Sequence, residues 1–461
     1  MRPVLSAAEY GRFLKSCSKD ELRPMAAVVA GAAWEMVERH NTRRVVFLCD
    51  DSLWRIGQLT GELLRQGKRE VSLALLSRDD LPDLLHNVLI CDMLFTPVAD
   101  ESLSKKRRAW IDAMTASPCP VFSVGIPAGN DPDSGRVAES AVQSQITVAP
   151  GAYLRGLFLH DGLDHCGEIW PAGQETDTDT GEALLRFEAA DAHRLLPPRK
   201  RTAHKGDSGK ALLCVGSPKY VGAALLSARA CLAAGCGILF VACPNEVRTA
   251  LARLPEAIGV PVGPEWNGEG CRIAIEAMAG KQSIGLGCGV GDGDVSPLIE
   301  AALQTRLPLV LDADGLNCLS RHPKLVALLH EKVILTPHPG EMSRLTGLST
   351  GAVLDDPVAM ARDWASRWGC TVLLKGAATV VSDGSRTRLV AEGNAGLGKG
   401  GSGDVLTGII TGLLSQGTEP FTAACLGSYL LGASADRALA LLKERMLRAT
   451  NVIEALEDWN E

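Results

Sequence analysis

The chain is predicted to fold as two α/β domains, each built on a parallel sheet. Three observations carry this prediction. Short apolar runs alternate with helix-length amphipathic segments along the whole chain, as expected of strands joined by crossover helices, with both faces of the sheet covered. A chain of 461 residues exceeds one ordinary core. A polar, low-complexity segment at 173–181 (Gly173-Gln174-Glu175-Thr176-Asp177-Thr178-Asp179-Thr180-Gly181) has the character of a linker. The domains are therefore placed at 1–175 and 185–461.

Composition narrows the class. Hydrophobic residues are 46%, charged residues 22% and aromatics only 4%, so the chain is globular with aliphatic cores. A net charge of −7 with mixed signs argues against a nucleic-acid surface. The run Lys105-Lys106-Arg107-Arg108 reads as a solvated helix start. The 14 cysteines are scattered without a C-x-x-C pair, and buried thiols acting as small hydrophobes account for them better than disulfides or zinc. The start of the chain has no apolar signal core and no apolar run is long enough to span a bilayer. The expectation is a reduced, soluble, cytoplasmic protein.

In the first domain, 23–39 has apolar residues at helical spacing. Residues 44–50 read as a buried strand, 54–65 as an amphipathic helix and 70–76 as a second strand. Residues 89–95 and 121–127 read as further strands, separated by a helix around 109–116. In the second domain, 195–201 leads into its first predicted strand. Strands are predicted at 211–215, 237–242, 283–289, 307–314, 332–336 and 371–376, with a hairpin of 379–382 and 387–390. An Ala-rich helix is predicted at 223–234.

One stretch stands apart. Gly393-Asn394-Ala395-Gly396-Leu397-Gly398-Lys399-Gly400-Gly401-Ser402-Gly403-Asp404 runs into an apolar helix with glycines at Gly408 and Gly412. Glycines let backbone approach a ligand closely, and the unpaired N–H groups of a helix start, with its dipole, form a phosphoryl site. Gly400, Gly401, Ser402 and Gly403 are the candidate anion loop. A carboxylate does not bind phosphate, so Asp404 at this mouth is read as a base for a hydroxyl facing the phosphoryl group. The alternative is a helix cap. Other strands of this half also end in chemistry: Asp312 and Asp314, His338 between two prolines, and Lys375 before Gly376. Each has a plainer role as cap, turn or strand end, but carboxyl-end loops of an open parallel sheet gather on one rim.

Together these residues resemble one family. His204-Lys205-Gly206, Gly222-Ala223-Ala224-Leu225-Leu226, Leu311-Asp312-Ala313-Asp314, Leu335-Thr336-Pro337-His338-Pro339-Gly340-Glu341, Leu374-Lys375-Gly376-Ala377-Ala378-Thr379 and Gly400-Gly401-Ser402-Gly403-Asp404 are similar to the blocks of ADP-dependent NAD(P)H-hydrate dehydratases. That resemblance implies a ribokinase-like α/β fold for the second domain. The two-domain layout resembles bifunctional NAD(P)H-hydrate repair enzymes, whose Rossmann-like first domain is an epimerase. The first domain departs from that pattern. Asp50-Asp51-Ser52 stands where the family has an Asn-Asn-Gly-Gly-Asp-Gly phosphate loop, and Gly125 in Gly125-Ile126-Pro127-Ala128-Gly129 stands where it has its catalytic acid. The epimerase fold is expected without its activity, and without firm ground for the K⁺ that accompanies it; Asp92 and Asp131, near strand ends, are the remaining acids.

The resemblance implies that the hydroxyl of hydrated NADH or NADPH is phosphorylated by the β-phosphate of ADP, so that phosphate and AMP leave and NAD(P)H is restored. Asp404 is then the base, and Mg²⁺ shares the transferring charge; no metal ligand is assigned. Ala223, Gly289, His338 and Asp404 match the hydrate-binding positions. Lys375, Gly376, Ala377, Ala378, Thr379 and Gly403 match the ADP/AMP site. Partners are these small molecules, with no nucleic acid and no membrane, and a homo-oligomer is expected. The competing readings are a ribokinase-like kinase that leaves its product phosphorylated, and a non-catalytic scaffold.

Overall fold

The computed structural model describes residues 1–95, 104–173, 183–199 and 201–458. The proposed linker, 174–181 in particular, lies outside the described residues. The chain divides into two compact units, Met1–Asp179 and Thr180–Glu461.

The first unit carries a six-stranded, fully parallel sheet in the order Glu70–Leu75, Arg44–Cys49, Val88–Met93, Val121–Val124, Ile146–Pro150, Glu168–Ala172. The central strands are apolar because both faces are covered: Val88–Met93 is buried along its whole length. The helix Lys19–His40 starts earlier than apolar spacing suggests, because Ser18 and Glu21 form a capping box that pulls a polar first turn into the helix. The basic run opens the helix Lys105–Ala116, capped by Ser104. Trp110, Ile111 and Met114 of that helix pack on Val46, Leu48, Ile90 and Val121. The last two strands of the sheet, and the parallel pair Arg2–Leu5 with Tyr153–Leu154, had no clear signature in sequence. They are short, two to five residues each.

The second unit has a ten-strand run. Its order is Ala257–Pro261, Ile238–Cys243, Lys210–Cys214, Ser283–Leu286, Leu309–Leu311, Val333–Leu335, Thr371–Leu374, Thr379–Ser382, Thr387–Val390, Leu184–Arg186. It is parallel as far as Thr371–Leu374. The hairpin Thr379–Ser382/Thr387–Val390 then turns antiparallel. Successive strands run outward in one direction to Ala257–Pro261 and in the other from Ser283–Leu286. The order therefore reverses between Lys210–Cys214 and Ser283–Leu286, and ligands of open α/β sheets bind in the crevice beyond such a point.

Several strands are shorter than their apolar runs because the acid, proline and glycine residues after them turn outward into the rim. The helix Ser402–Ser415 is buried from Val405 to Ser415. Val310, Ile334, Leu373 and Val381 of the sheet share a core with it and with the helix Pro420–Ala438. Its glycines exist for close approach: a Cβ on Gly408 would run into the Ser227 carbonyl, and one on Gly412 would lie 2.6 Å from that of Cys231. Both carbonyls belong to the helix Val221–Ala233. All 14 cysteines are free thiols, buried except for the half-buried Cys119. Among the described residues no helix is long and apolar enough to cross a membrane.

Candidate active site in the second unit

The helix Ser402–Ser415 begins at Gly401, whose φ of 103° is left-handed, and no side chain caps it among the described residues. Its first intrahelical bond runs from the Val405 N–H to the Gly401 carbonyl at 3.1 Å. The N–H groups of Ser402, Gly403 and Asp404 precede that bond and are the free donors of the helix start. The Ser402 hydroxyl donates back to the Leu397 carbonyl at 2.9 Å and to that of Lys399 at 3.3 Å. Lys399 Nζ in turn donates to the carbonyls of Arg445 and Leu447, at 2.6 and 2.8 Å. The loop is thus tied down by its own side chains while its leading amides face outward.

Asp404 lies in the first turn. Burial and then the neighbouring Asp312 carboxylate push its pKa up to about 6, against a hydrogen bond from Cys288 and the charge of Lys375, with Asp314 adding to the rise. The environment therefore gives the acid a basicity well above that of a free aspartate, which suits a proton acceptor working near neutral pH.

Asp312 does not cap the following helix. That helix, Asp314–Arg321, has Ala313 at its N-cap without a side-chain cap. Asp312 is 1% exposed; its Oδ1 accepts from Lys375 Nζ at 2.8 Å and its Oδ2 from the Thr407 hydroxyl at 3.1 Å. Asp314 instead accepts from the Gly291 N–H at 2.9 Å, holding the loop beyond Ser283–Leu286 against the rim. Ala313 between the two acids has φ 49° and ψ −117°, a conformation L residues rarely adopt; such strain persists only where the surroundings over-determine it.

Lys375 is not a solvated strand end. It bonds Asp312, and Glu341 Oε2 lies 3.7 Å from its Nζ. Burial works against its charge, but Asp312 and Glu341 more than offset this and it titrates above the ordinary lysine value. Gly403 packs on this pair, with its Cβ position 3.2 Å from Asp312 Oδ2 and 3.6 Å from Lys375 Nζ. Beyond Lys375 the chain bends, leaving Gly376 and Ala377 exposed, Ala378 buried and Thr379 half-buried at the start of the next strand.

The other sequence candidates fall around this centre. Ala223 is in the first turn of Val221–Ala233, and the backbone of Gly289 lies against Ala223 and Tyr220. His338 sits after Val333–Leu335. Its Nδ1 accepts from the Gly340 N–H at 3.0 Å and its backbone N–H donates to Glu341 at 2.9 Å, so it does cap the helix Pro339–Thr346, with its ring half-exposed on the rim. Sequence reasoning missed Thr407, Cys288 and the role of Glu341. Thr407 sits on an otherwise apolar helix, and only its position one turn beyond Asp404 could have flagged it.

The first unit contrasts with this. Asp50 is turned inward: its Oδ1 accepts from the N–H groups of Ser52 and Leu53, at 2.9 and 3.3 Å, and its Oδ2 lies 3.5 Å from Arg107. Burial pushes its pKa up to about 7, with Arg107 pulling the other way. Asp51 is exposed and accepts from Ser77 at 3.2 Å. The remaining acids are occupied. Asp92 is fully buried and accepts from the Ala128 and Leu94 N–H groups and the Ser123 hydroxyl, at 2.7, 3.0 and 2.8 Å. Asp131 closes a turn by accepting from Asp133 and Ser134. Gly125 has φ 90°, where an aspartate would be strained, so the backbone itself, not only the side chain, differs from what a catalytic acid needs.

An uncapped glycine helix start, an acid of raised pKa and a rim at the reversal point of a parallel sheet are the features that phosphoryl transfer on a kinase-like α/β scaffold calls for. Comparison with known proteins agrees. Residues 211–457 match the family model described as NAD(P)H-hydrate dehydratase, and residues 51–156 match the YjeF-related protein N-terminus. A bifunctional NAD(P)H-hydrate repair enzyme of Moorella thermoacetica is 32% identical over 398 residues, covering 83% of this chain and 74% of that protein. Its counterpart in Vibrio cholerae is 31% identical over 376 residues, covering 80% and 74%. The crystal structure of an ADP/ATP-dependent NAD(P)H-hydrate dehydratase from Bacillus subtilis, co-crystallised with ATP and Mg²⁺, matches with 30% identity and a TM-score of 0.53, over 60% of this chain and 97% of that one. A ribokinase-like superfamily protein from Enterococcus faecalis has the same fold at 23% identity and a TM-score of 0.53. The chain belongs to the family of bifunctional NAD(P)H-hydrate repair enzymes.

Proposed function

We propose that the second unit dehydrates NAD(P)H-hydrate, with ADP as phosphoryl donor. The observation that carries this reading is Asp404, a base of raised pKa at an uncapped helix start, one residue from the Gly403 backbone that packs on the Asp312–Lys375 pair. Asp404 takes the proton of the C6 hydroxyl of the hydrated nicotinamide ring. That oxygen attacks the β-phosphorus of ADP, and AMP leaves. The N–H groups of Ser402, Gly403 and Asp404 hold the charge that grows on the transferring group. Phosphate then departs from C6 as the ring nitrogen pushes electrons in and the neighbouring carbon loses a proton, which restores NAD(P)H. Lys375 and the backbone of 376–379 hold the nucleotide; Ala223, Gly289 and His338 line the hydrate side.

The donor chemistry on this rim fits Mg²⁺: Asp314 offers carboxylate oxygen close enough to Asp404 to raise its pKa, and magnesium is commonly held by one or two carboxylates plus nucleotide phosphates. When bound, it neutralises phosphate charge. The reading is tested by incubating the purified chain with hydrated NADH, ADP and Mg²⁺, and following reduced-nicotinamide absorbance together with free phosphate. Recovery of both supports it; a stable phosphoester without recovered absorbance makes the protein a kinase. In the same assay ADP is expected to support turnover better than ATP, measured as kcat/KM, and a strong ATP preference would overturn that choice.

The first unit is proposed to lack epimerase activity. An epimerase needs a positioned acid or base, and Gly125, the buried Asp92 and the turn-closing Asp131 supply none. The measurement uses the full chain as Asp404→Asn, added to a dehydratase from another source and both hydrate epimers. Consumption of the slow epimer should stay at its spontaneous rate; acceleration would refute the proposal.

A further inference from the structure

Two segments bring together side chains that the dehydration does not use. Asp294 precedes the helix Ser296–Thr305, Cys318 is in the helix Asp314–Arg321, and His322 follows it. One carboxylate oxygen, the thiol sulfur and one ring nitrogen all lie within 4.8 Å of one another. Cys318 Sγ and His322 Nδ1 are 3.6 Å apart, and tetrahedral zinc with ordinary Zn–S and Zn–N bonds places such atoms roughly 3.6 Å apart. We propose that Asp294, Cys318 and His322 form a binding site for a zinc-class divalent cation.

In the metal-free chain the surroundings keep Cys318 a neutral thiol, so a bound cation must displace its proton. Burial and Asp294 hold the Cys318 thiol above its ordinary value, while Arg321 and the Val295 N–H at the start of the Ser296–Thr305 helix pull it down. A cation in the cluster would remove the conflict between Asp294 and the thiolate. Cys271, 1% exposed, lies alongside: its thiol donates to the Asp294 carbonyl at 3.8 Å, and its pKa is raised by burial and by Asp294 and Cys318. His322 Nδ1 also lies 2.9 Å from the Cys318 carbonyl; metal binding replaces that contact by a bond from the neutral ring's lone pair. The bound cation would staple the loop that carries Gly289 and Gly291 to the helix that starts at Asp314.

The test uses the full chain, stripped with a chelator, kept reduced without added thiol, and titrated with Co²⁺ alone. A near-ultraviolet thiolate-to-cobalt band should saturate at about one equivalent, as a single four-coordinate site requires, and Zn²⁺ should displace it. Cys318→Ser should abolish the band. His322→Gln, at a half-exposed helix end, should weaken Co²⁺ binding by more than about tenfold. Cys119→Ser, in the other unit, should change nothing. No band at stoichiometric Co²⁺, or a band that survives His322→Gln with unchanged affinity, would overturn the site even if Cys318→Ser failed to fold.

Discussion

Asp404→Asn should fold, bind nucleotide and dehydrate NAD(P)H-hydrate about two to four orders of magnitude more slowly than the parent chain, the usual worth of a general base. The amide keeps the shape of the carboxylate but cannot accept the hydroxyl proton. In the parent chain the rate should fall as pH drops through about 6, where Asp404 takes up its proton, and this limb should be missing from the residual rate of the variant. The same substitution should stabilise the ligand-free fold. Asp404 has a folded pKa above its unfolded value, so the folded state binds more protons between about pH 4 and 6, and stability is lost as pH rises through that window. Above it, removing the charge should recover on the order of 1–2 kcal/mol, allowing for partial solvent screening, seen as a Tm raised by a few degrees. A variant with a near-normal rate, or one that melts lower at pH 7.5, would remove Asp404 from the role of strained base.

Lys375→Met should cost about 3–5 kcal/mol, because it leaves the Asp312 carboxylate buried without its cation. Asp312 is nearly inaccessible, and the Thr407 hydroxyl at 3.1 Å cannot neutralise it. The loss should shrink in the double variant Lys375→Met/Asp312→Asn, since the orphaned charge is then gone. Denaturant unfolding of the four proteins of that cycle provides the coupling energy. If Lys375→Met alone cost less than about 1 kcal/mol, the pair would behave as a surface ion pair. Turnover should not return in the double variant, because the proposed nucleotide site then lacks its lysine.

Part of this site was legible in the residues. The glycine loop before an apolar helix, with an acid inside its first turn, has few structural uses, so Asp404 stands out from the sequence alone. Acids, histidine and lysine at successive strand ends pointed to one rim, because parallel strands place their carboxyl ends together. The burial of Val405–Ser415 follows the same local logic, whereas the capping box at Ser18 and Glu21, which starts its helix at Lys19, lies outside the apolar pattern. The short strands Ile146–Pro150 and Glu168–Ala172 were not legible, since few residues carry their pattern and only their neighbours in the sheet stabilise them. Asp312 and Asp314 looked interchangeable as helix caps; the left-handed turn at Ala313 sends one inward to Lys375 and the other to the Gly291 N–H.

By itself the sequence determined the alternation of strands and helices, the aliphatic cores, a glycine-rich helix start with Asp404 in its first turn, and the absence of a side-chain acid at Gly125. These depend on periodicity, backbone freedom and the presence or absence of a functional group, all of which are local. Only the tertiary structure decided that Lys375 pairs with Asp312, that Thr407 joins them, that Asp92 is consumed by internal hydrogen bonds, and that Asp294, Cys318 and His322 converge. Their partners come from separate segments, and such meetings are set by sheet order and crossover geometry. Asp404 illustrates the division: its position is local, but its raised pKa comes from burial and from a carboxylate ninety-two residues away, brought beside it by the fold.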